Sequence, residues 1–281
     1  MAQADMHGKI CLVTGSTSGI GKATALGLAK LGAIVVMVSR DKARGEAARS
    51  EIQTKSGNNS LDLLLADLAS QASIRQLAQD FRQKYSHLDV LVNNAGISPT
   101  KRSLTVDGIE KTFAVNVLAY FLLTNLLLDV LKASAPSRIV NVASAAHSPI
   151  DFDDLQREKH FGWLDVYGES KFGTILFTYE LAKRLQGTGV TVNCLHPGVI
   201  GTNLMRELPV IASWFTKLFF SSPEKGAETS IYLASSSEVE GVSGKYFIKR
   251  KEASSSKETY DEAAQQHLWQ ICAELTKLDA Q

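Results

Sequence analysis

The sequence predicts an α/β protein built on one doubly wound parallel sheet of about seven strands, with helices on both faces and a helical extension at the C-terminus. Short runs rich in β-branched residues alternate with longer amphipathic segments along most of the chain. The strand runs are nearly continuous in apolar residues, as in KICLVTG, AIVVMVSR and HLDVLVNN, which marks strands covered on both faces. No stretch is rich enough in Pro or Gly to divide the 281 residues, so 1–281 reads as one domain.

KICLVTG (9–15) is the first strand and GKATALGLAKLG (21–32) the first helix, closed by Gly32. AIVVMVSR (33–40) is the second strand, 41–56 the second helix and SLDLLLAD (60–67) the third strand. Residues 70–85 carry Ile74, Leu77, Ala78 and Phe81 at helical spacing. HLDVLVNNAG (87–96) is a fourth strand and turn, followed by a long helix over roughly 107–131. SRIVNVAS (137–144) is the fifth strand, 166–186 a helix and VTVNCLHPG (190–198) the sixth strand. EKGAETSIYLAS (224–235) is helical and GKYFI (244–248) a short last strand. In the tail, 252–281, Ala264, Leu268, Ile271, Leu275 and Leu278 form one apolar helical stripe, expected to dock on the main body.

Composition excludes several classes. Hydrophobic residues make up 44% and charged residues 21%, ordinary for a soluble globular protein. A net charge of +1 gives no field that would gather nucleic acid. The basic run Lys249-Arg250-Lys251 reads as solvated surface. MAQADMHGKI has no apolar stretch, so no signal peptide is expected, and Val115–Leu131 is too polar for a transmembrane segment. Three cysteines, two of them inside apolar strand runs, fit buried thiols and a cytoplasmic location. No Cys/His spacing suits a metal.

The first strand runs straight into TGSTSGIGK and then a helix. Glycine serves such a turn where the backbone doubles back and where it must approach a phosphate, and the helix start then offers free N–H groups. The spacing is G-x-x-x-G-x-G, but its place between first strand and first helix makes it the phosphate turn of a Rossmann-type site. Candidate dinucleotide contacts are therefore Gly15, Ser16, Thr17, Ser18, Gly19, Ile20 and Gly21. At the end of the second strand stand Ser39 and Arg40, where an NAD-preferring site usually places a carboxylate. Arg40 can clamp a 2′-phosphate, so NADP(H) is expected over NAD(H). Asp41 reads as a cap for the next helix. Asp67 and Leu68 end the third strand, where Asp67 can contact the adenine or cap a helix. Asn94, Ala95 and Gly96 end the fourth with small residues over which a cofactor can pass.

The stretch VYGESKFGTILFTYELAKRL (166–185) holds a Tyr followed four residues later by a Lys twice, at Tyr167/Lys171 and Tyr179/Lys183. In one unbroken helix the second tyrosine lies roughly 18 Å further along and is rotated by about 120°, so the two cannot serve one site. Tyr167 stands near the helix start, at the end of the sheet where ligands bind, beside the small Gly168 and Ser170. Tyr179 lies in a crowded stretch and reads as packing with a polar tip.

TGSTSGIG (14–21), NNAG (93–96), Asn116, Ser144, YGESK (167–171) and HPG (196–198), in this order, resemble the short-chain dehydrogenase/reductase family. VNVASAAHS and SKFGTILFTYELAKRLQGTGVTVNCLHPGV resemble its retinol dehydrogenase-like branch. The resemblance implies that Tyr167 donates a proton to a carbonyl or takes one from an alcohol. It implies that Lys171 lowers the phenol's pKa and holds the nicotinamide ribose, that Ser144 fixes the substrate oxygen, and that Asn116 holds a relay water. Pro197, Gly198 and Thr202 would then lie along the nicotinamide.

Residues 203–226 occupy the family's substrate-lid position and are rich in apolar side chains, among them Leu204, Met205 and Trp214. A lipophilic aldehyde, ketone or alcohol suits them. His147 is close enough to Ser144 in sequence to line the pocket, though it also reads, like His196, as a structural histidine. Relatives form dimers or tetramers through the long helices, so a homodimer or homotetramer is implied. Two other readings are a regulatory scaffold that binds NADP(H) without turnover and a C=C reductase of the same fold. The scaffold reading would fit better had Ser144, Tyr167 or Lys171 been lost.

Overall fold

The computed structural model describes residues 5–198 and 222–278. An eight-stranded sheet has the order β3-β2-β1-β4-β5-β6-β7-β8. Its strands are β1 (Ile10–Thr14), β2 (Ile34–Ser39), β3 (Leu61–Leu65), β4 (Val90–Asn93), β5 (Ser137–Val142), β6 (Val190–His196), β7 (Tyr246–Ile248) and β8 (Lys251–Ala253). β1 to β7 pair in parallel, and β8 returns antiparallel on β7. The order reverses at β1, so the crevice for a ligand opens beyond the carboxyl ends of β1 and β4.

Alternation along β1 shows why each strand is apolar throughout. Ile10 and Leu12 face one core with Val36, Leu91, Phe81 and Leu176, while Cys11 and Val13 face the other with Val35, Met37 and Leu28. The first core lies under α3 (Gln71–Lys84), α5 (Ala119–Leu126) and α7 (Trp163–Arg184). The second lies under α1 (Gly19–Lys30), α2 (Lys42–Ser56) and α8 (Pro223–Ser235). Three helices begin on the side chain the sequence offers: Asp41 accepts the Arg44 N–H, Ser70 the Ser73 N–H and Ser222 the Lys225 N–H. Asp67 is not a cap; its carboxylate accepts the Ala69 N–H, and α3 starts on Ser70.

Three features depart from expectation. The helix foreseen over 107–131 starts at α4 (Lys111–Phe113), passes through a π turn (Ala114–Leu118) into α5, and breaks at Leu127 before α6 (Leu128–Ala133). α7 begins at Trp163 rather than 166. The eighth strand was not foreseen. It follows a two-residue turn, Lys249-Arg250, with φ of 50° and 63° and no glycine, so the usual hairpin signal is missing. Both turn residues are exposed.

α9 (Glu262–Thr276) is the expected tail helix. Leu268, Trp269, Cys272 and Ala273 are buried. The Trp269 ring meets Phe121 edge-on at 4.9 Å, stacks with Phe177 at 6.0 Å and lies under the Arg184 guanidinium. Gln71 and Arg75 of α3 donate to the carbonyls of Leu275 and Thr276. α9 thus covers the face of α5 and α7 expected to meet another subunit. Val115, Leu118 and Leu122 are buried within the chain, and Leu126 is half-buried. Of the lid 203–226, only 222–226 are described, at the start of α8; Thr202, Leu204, Met205 and Trp214 lie outside the described residues. No described helix is long and apolar enough to cross a membrane.

Candidate active site

The glycine turn is built for close approach. Gly15 and Gly19 have φ of 65° and 55°, where side chains are disfavoured. Gly21 is constrained by contact instead: a Cβ there would stand 2.3 Å from both Asn94 Nδ2 and the Gly15 carbonyl oxygen. Asn94 locks this arrangement by donating to the Thr14 carbonyl at 2.8 Å. Thr14 Oγ1 accepts the N–H groups of Asn94 and Ala95, so β4's end is tied to β1's. Ser16 is wholly buried, and its hydroxyl bonds the Val38 backbone rather than facing the crevice. Ser18 begins α1 without capping it, and no acidic residue stands in the first turn. That end of α1 keeps its N–H groups and positive dipole end for an anion.

This cradle fits a dinucleotide: glycines where the backbone must come close, an uncapped helix start, and Arg40 and Asp67 exposed at the ends of β2 and β3. Asp41, beside Arg40, is engaged by Arg44 N–H at 2.9 Å. A bound nicotinamide would supply the hydride.

Beyond β5 and α7, three expected side chains come together. Ser144 is 7% exposed and hydrogen-bonds Tyr167. Burial pushes the Tyr167 phenol above its ordinary value, with the Ser144 bond pulling the other way. Lys171 is buried at 4% exposure, and its Nζ stands 5.8 Å from the Tyr167 ring centre. Its ammonium donates to the Val142 carbonyl at 2.8 Å, and burial lowers its pKa to about 8.

Asn116 sits in the π turn, a distortion that often marks function. Its Oδ1 accepts the Ile97 N–H at 2.8 Å, and its Nδ2 donates to the Ile97 carbonyl and to Ser170 Oγ. The amide thus pins the turn after β4 to α7. A Cβ on Gly96 would stand 3.5 Å from both Asn116 Oδ1 and Lys171 Nζ, so these two polar atoms lie beside the same point of the turn.

The second pair is separate. Tyr179 is 6% exposed, bonds Ser255 Oγ at 2.7 Å and stacks on Tyr260. Lys183 pairs with Glu262 of α9 at 2.8 Å. His196 Nδ1 accepts the Ala145 N–H, and burial, with His147 nearby, lowers its pKa. Pro197 and Gly198 follow β6 at the same end of the sheet.

The short-chain dehydrogenase family model matches residues 9–210. This chain belongs to the short-chain dehydrogenase family. It is 47% identical to Retinol dehydrogenase 14 of Homo sapiens, over 95% of this chain and 85% of that protein, which places it in the retinol dehydrogenase-like branch. The crystal structure of an uncharacterised protein from Mycobacterium paratuberculosis superposes with a TM-score of 0.82, at 30% identity, covering 100% of this chain and 97% of that one. The RhlG/NADP active-site complex of Pseudomonas aeruginosa matches with a TM-score of 0.72 at 30% identity, covering 88% and 97%. As a member of this family the chain is an oxidoreductase interconverting an alcohol and a carbonyl.

Other residues of this short-chain dehydrogenase site carried no sequence signal of their own. Tyr120 donates to the Ala95 carbonyl at 2.9 Å, and its ring lies 6.0 Å from Lys171 Nζ. Ser170, inside YGESK, links Asn116 to the Tyr167 carbonyl. A tyrosine in an apolar helix reads as core until the fold brings β4's end against it.

Proposed function

We propose that this chain is an NADP(H)-dependent oxidoreductase acting on a lipophilic alcohol and its aldehyde or ketone, with Tyr167 as the proton donor and acceptor. The observation that carries the reading is the convergence of Ser144, Tyr167 and Lys171 at the crevice edge, beside the glycine cradle. In the reducing direction Ser144 hydrogen-bonds the carbonyl oxygen and Tyr167 protonates it. Lys171, with a pKa of about 8, can give or take a proton near neutrality and resupply the phenol. Asn116 keeps Ser170 and the turn at Ile97 in place, and its Oδ1 and Lys171 Nζ both lie beside Gly96, which supports a relay water held between them.

Arg40, exposed at the end of β2, supports NADP(H), because the neighbouring Asp41 is taken up by α2. The NADP in the RhlG complex is in keeping with this. The apolar character of 203–226, with Leu204, Met205 and Trp214, supports a lipophilic substrate. So does Leu164, 61% exposed and one helical turn before Tyr167 on α7. The named activity of Retinol dehydrogenase 14 puts retinol and retinaldehyde first among the substrates to try.

The test follows NADPH absorbance with a panel of lipophilic aldehydes and ketones, retinaldehyde included. Wild type consumes NADPH, Tyr167→Phe is slower by at least about a thousandfold, and Lys183→Gln is unchanged. A fully active Tyr167→Phe enzyme sinks the assignment.

A further inference from the structure

β5 ends at Val142, so the Ser144 carbonyl lies past the sheet ladder and takes its partners from elsewhere. His147 Nδ1 lies 2.8 Å from that carbonyl oxygen, and the Tyr246 hydroxyl donates to it at 3.1 Å. The other ring nitrogen, Nε2, accepts the backbone N–H of Ser256 at 3.2 Å. A carbonyl can only accept and an amide N–H can only donate. Of the imidazole's states, only the neutral Nδ1–H tautomer satisfies both. The ring meets Tyr246 edge-on at 6.0 Å and lies tilted beside Phe172 at 6.5 Å.

Ser256 belongs to a segment that is itself fixed. Ser255 Oγ bonds Tyr179 at 2.7 Å and Thr259 at 2.6 Å, and Gln265 of α9 donates to the Thr259 carbonyl at 2.8 Å. Hydrogen bonds joined by short covalent links thus run from α9 through Thr259, Ser255–Ser256 and His147 to Ser144, whose hydroxyl bonds Tyr167. With both nitrogens engaged, His147 has none left to offer a substrate.

We infer that His147 is a positioning residue: as the Nδ1–H tautomer it couples the segment before α9 to the Ser144 carbonyl and so sets the Ser144 hydroxyl against Tyr167. The inference rests on the proposed roles of Ser144 and Tyr167. It makes the C-terminal segment part of the geometry of proton transfer, although that segment touches no reacting atom.

Ser256→Pro tests it by deleting one N–H. Ser256 has φ −61°, where a proline ring holds the backbone, and among the described residues nothing bonds its hydroxyl. His147→Asn removes the acceptor for Ser256. Each single variant lowers kcat by roughly tenfold to a hundredfold, with KM and the dinucleotide Kd within about twofold. The double variant is no slower than the worse single, because both cut one link. ¹⁵N NMR of histidine-labelled wild type, with His147 assigned by its loss in His147→Asn, shows a neutral Nδ1–H ring. Wild-type kcat in Ser256→Pro, additive losses in the double variant, or an Nε2–H ring each overturn the inference. Tyr167→Phe, run alongside, separates the two readings: full activity there overturns the catalytic roles, whereas its loss beside an unimpaired Ser256→Pro overturns only the role of His147.

Discussion

The ammonium of Lys171 donates to the Val142 carbonyl at 2.8 Å, and among the described residues no carboxylate sets its pKa. Burial alone takes that pKa from 10.5 to about 8. Such a depression is roughly 3 kcal/mol of preference for the neutral amine. The fold therefore carries a destabilising charge for the sake of the site.

The first prediction concerns Lys171→Met. At pH 7 the variant unfolds at higher urea, by about 1–2 kcal/mol, the gain being reduced because Val142 loses its donor. The pH dependence has a definite sign. Between about pH 8 and 10.5 the folded lysine has shed its proton while the unfolded one still holds it. Unfolding then takes up a proton, so the wild type gains stability as pH rises through this window, by about 1.4 kcal/mol per unit at most. The advantage of Lys171→Met shrinks accordingly. Buried Cys11, Cys194 and Cys272, whose pKa values are raised, push both proteins the other way. The measurement is therefore the difference between the two urea curves, and a difference that stays constant from pH 7 to 10 refutes the account.

Gly21→Ala should damage fold and cofactor binding together. Its Cβ meets the Gly15 carbonyl and Asn94 Nδ2 at 2.3 Å, and the first of these is backbone. The expected cost is about 1–3 kcal/mol, with dinucleotide affinity weakened at least about tenfold as the cradle opens. Gly57→Ala is the control. It strains a residue at φ 71° with nothing within 4 Å, so it costs roughly 1 kcal/mol and leaves binding unchanged. Fluorescence titration with NADPH and urea melts of both variants decide the matter.

Arg40→Leu addresses cofactor choice. A charge-assisted bond to a 2′-phosphate is worth about 1.5–3 kcal/mol. NADPH affinity should fall by roughly tenfold to a hundredfold, while NADH, which lacks that phosphate, binds as before. Equal losses for both cofactors would mean that Arg40 supports the site without reading the phosphate.

The parts of this molecule that obey period and spacing could be read from the chain. β1, α1 and β2 follow from apolar runs divided by TGSTSGIG, and Tyr167 was separable from Tyr179 because 12 residues of helix forbid a shared site. The parts set by tertiary contact could not. The π turn around Asn116 depends on the Ile97 backbone and Ser170, each far away in sequence. β8 is three residues, Lys251–Ala253, with no apolar alternation, and its turn uses Lys249 and Arg250 where glycine would be the signal. His147 reads from its nearness to Ser144 as a pocket residue or a structural histidine; only the return of the chain at Ser256 shows where its second nitrogen goes.

The last prediction follows from α9. The long helices are the expected subunit contact, yet here Trp269 fills the space between Phe121 and Phe177 under Arg184. The chain supplies from its own tail the apolar cover that a partner would give. Trp269→Ala should cost about 3–5 kcal/mol, since the neighbouring rings cannot close the gap. It should also promote self-association, because loosening α9 uncovers Phe121 and Phe177 of the underlying helices. Sedimentation velocity over a concentration series measures both states. The wild type should not assemble through this face, and the variant should gain a heavier species as concentration rises. A wild-type dimer that Trp269→Ala breaks apart would show instead that the tail completes a subunit interface.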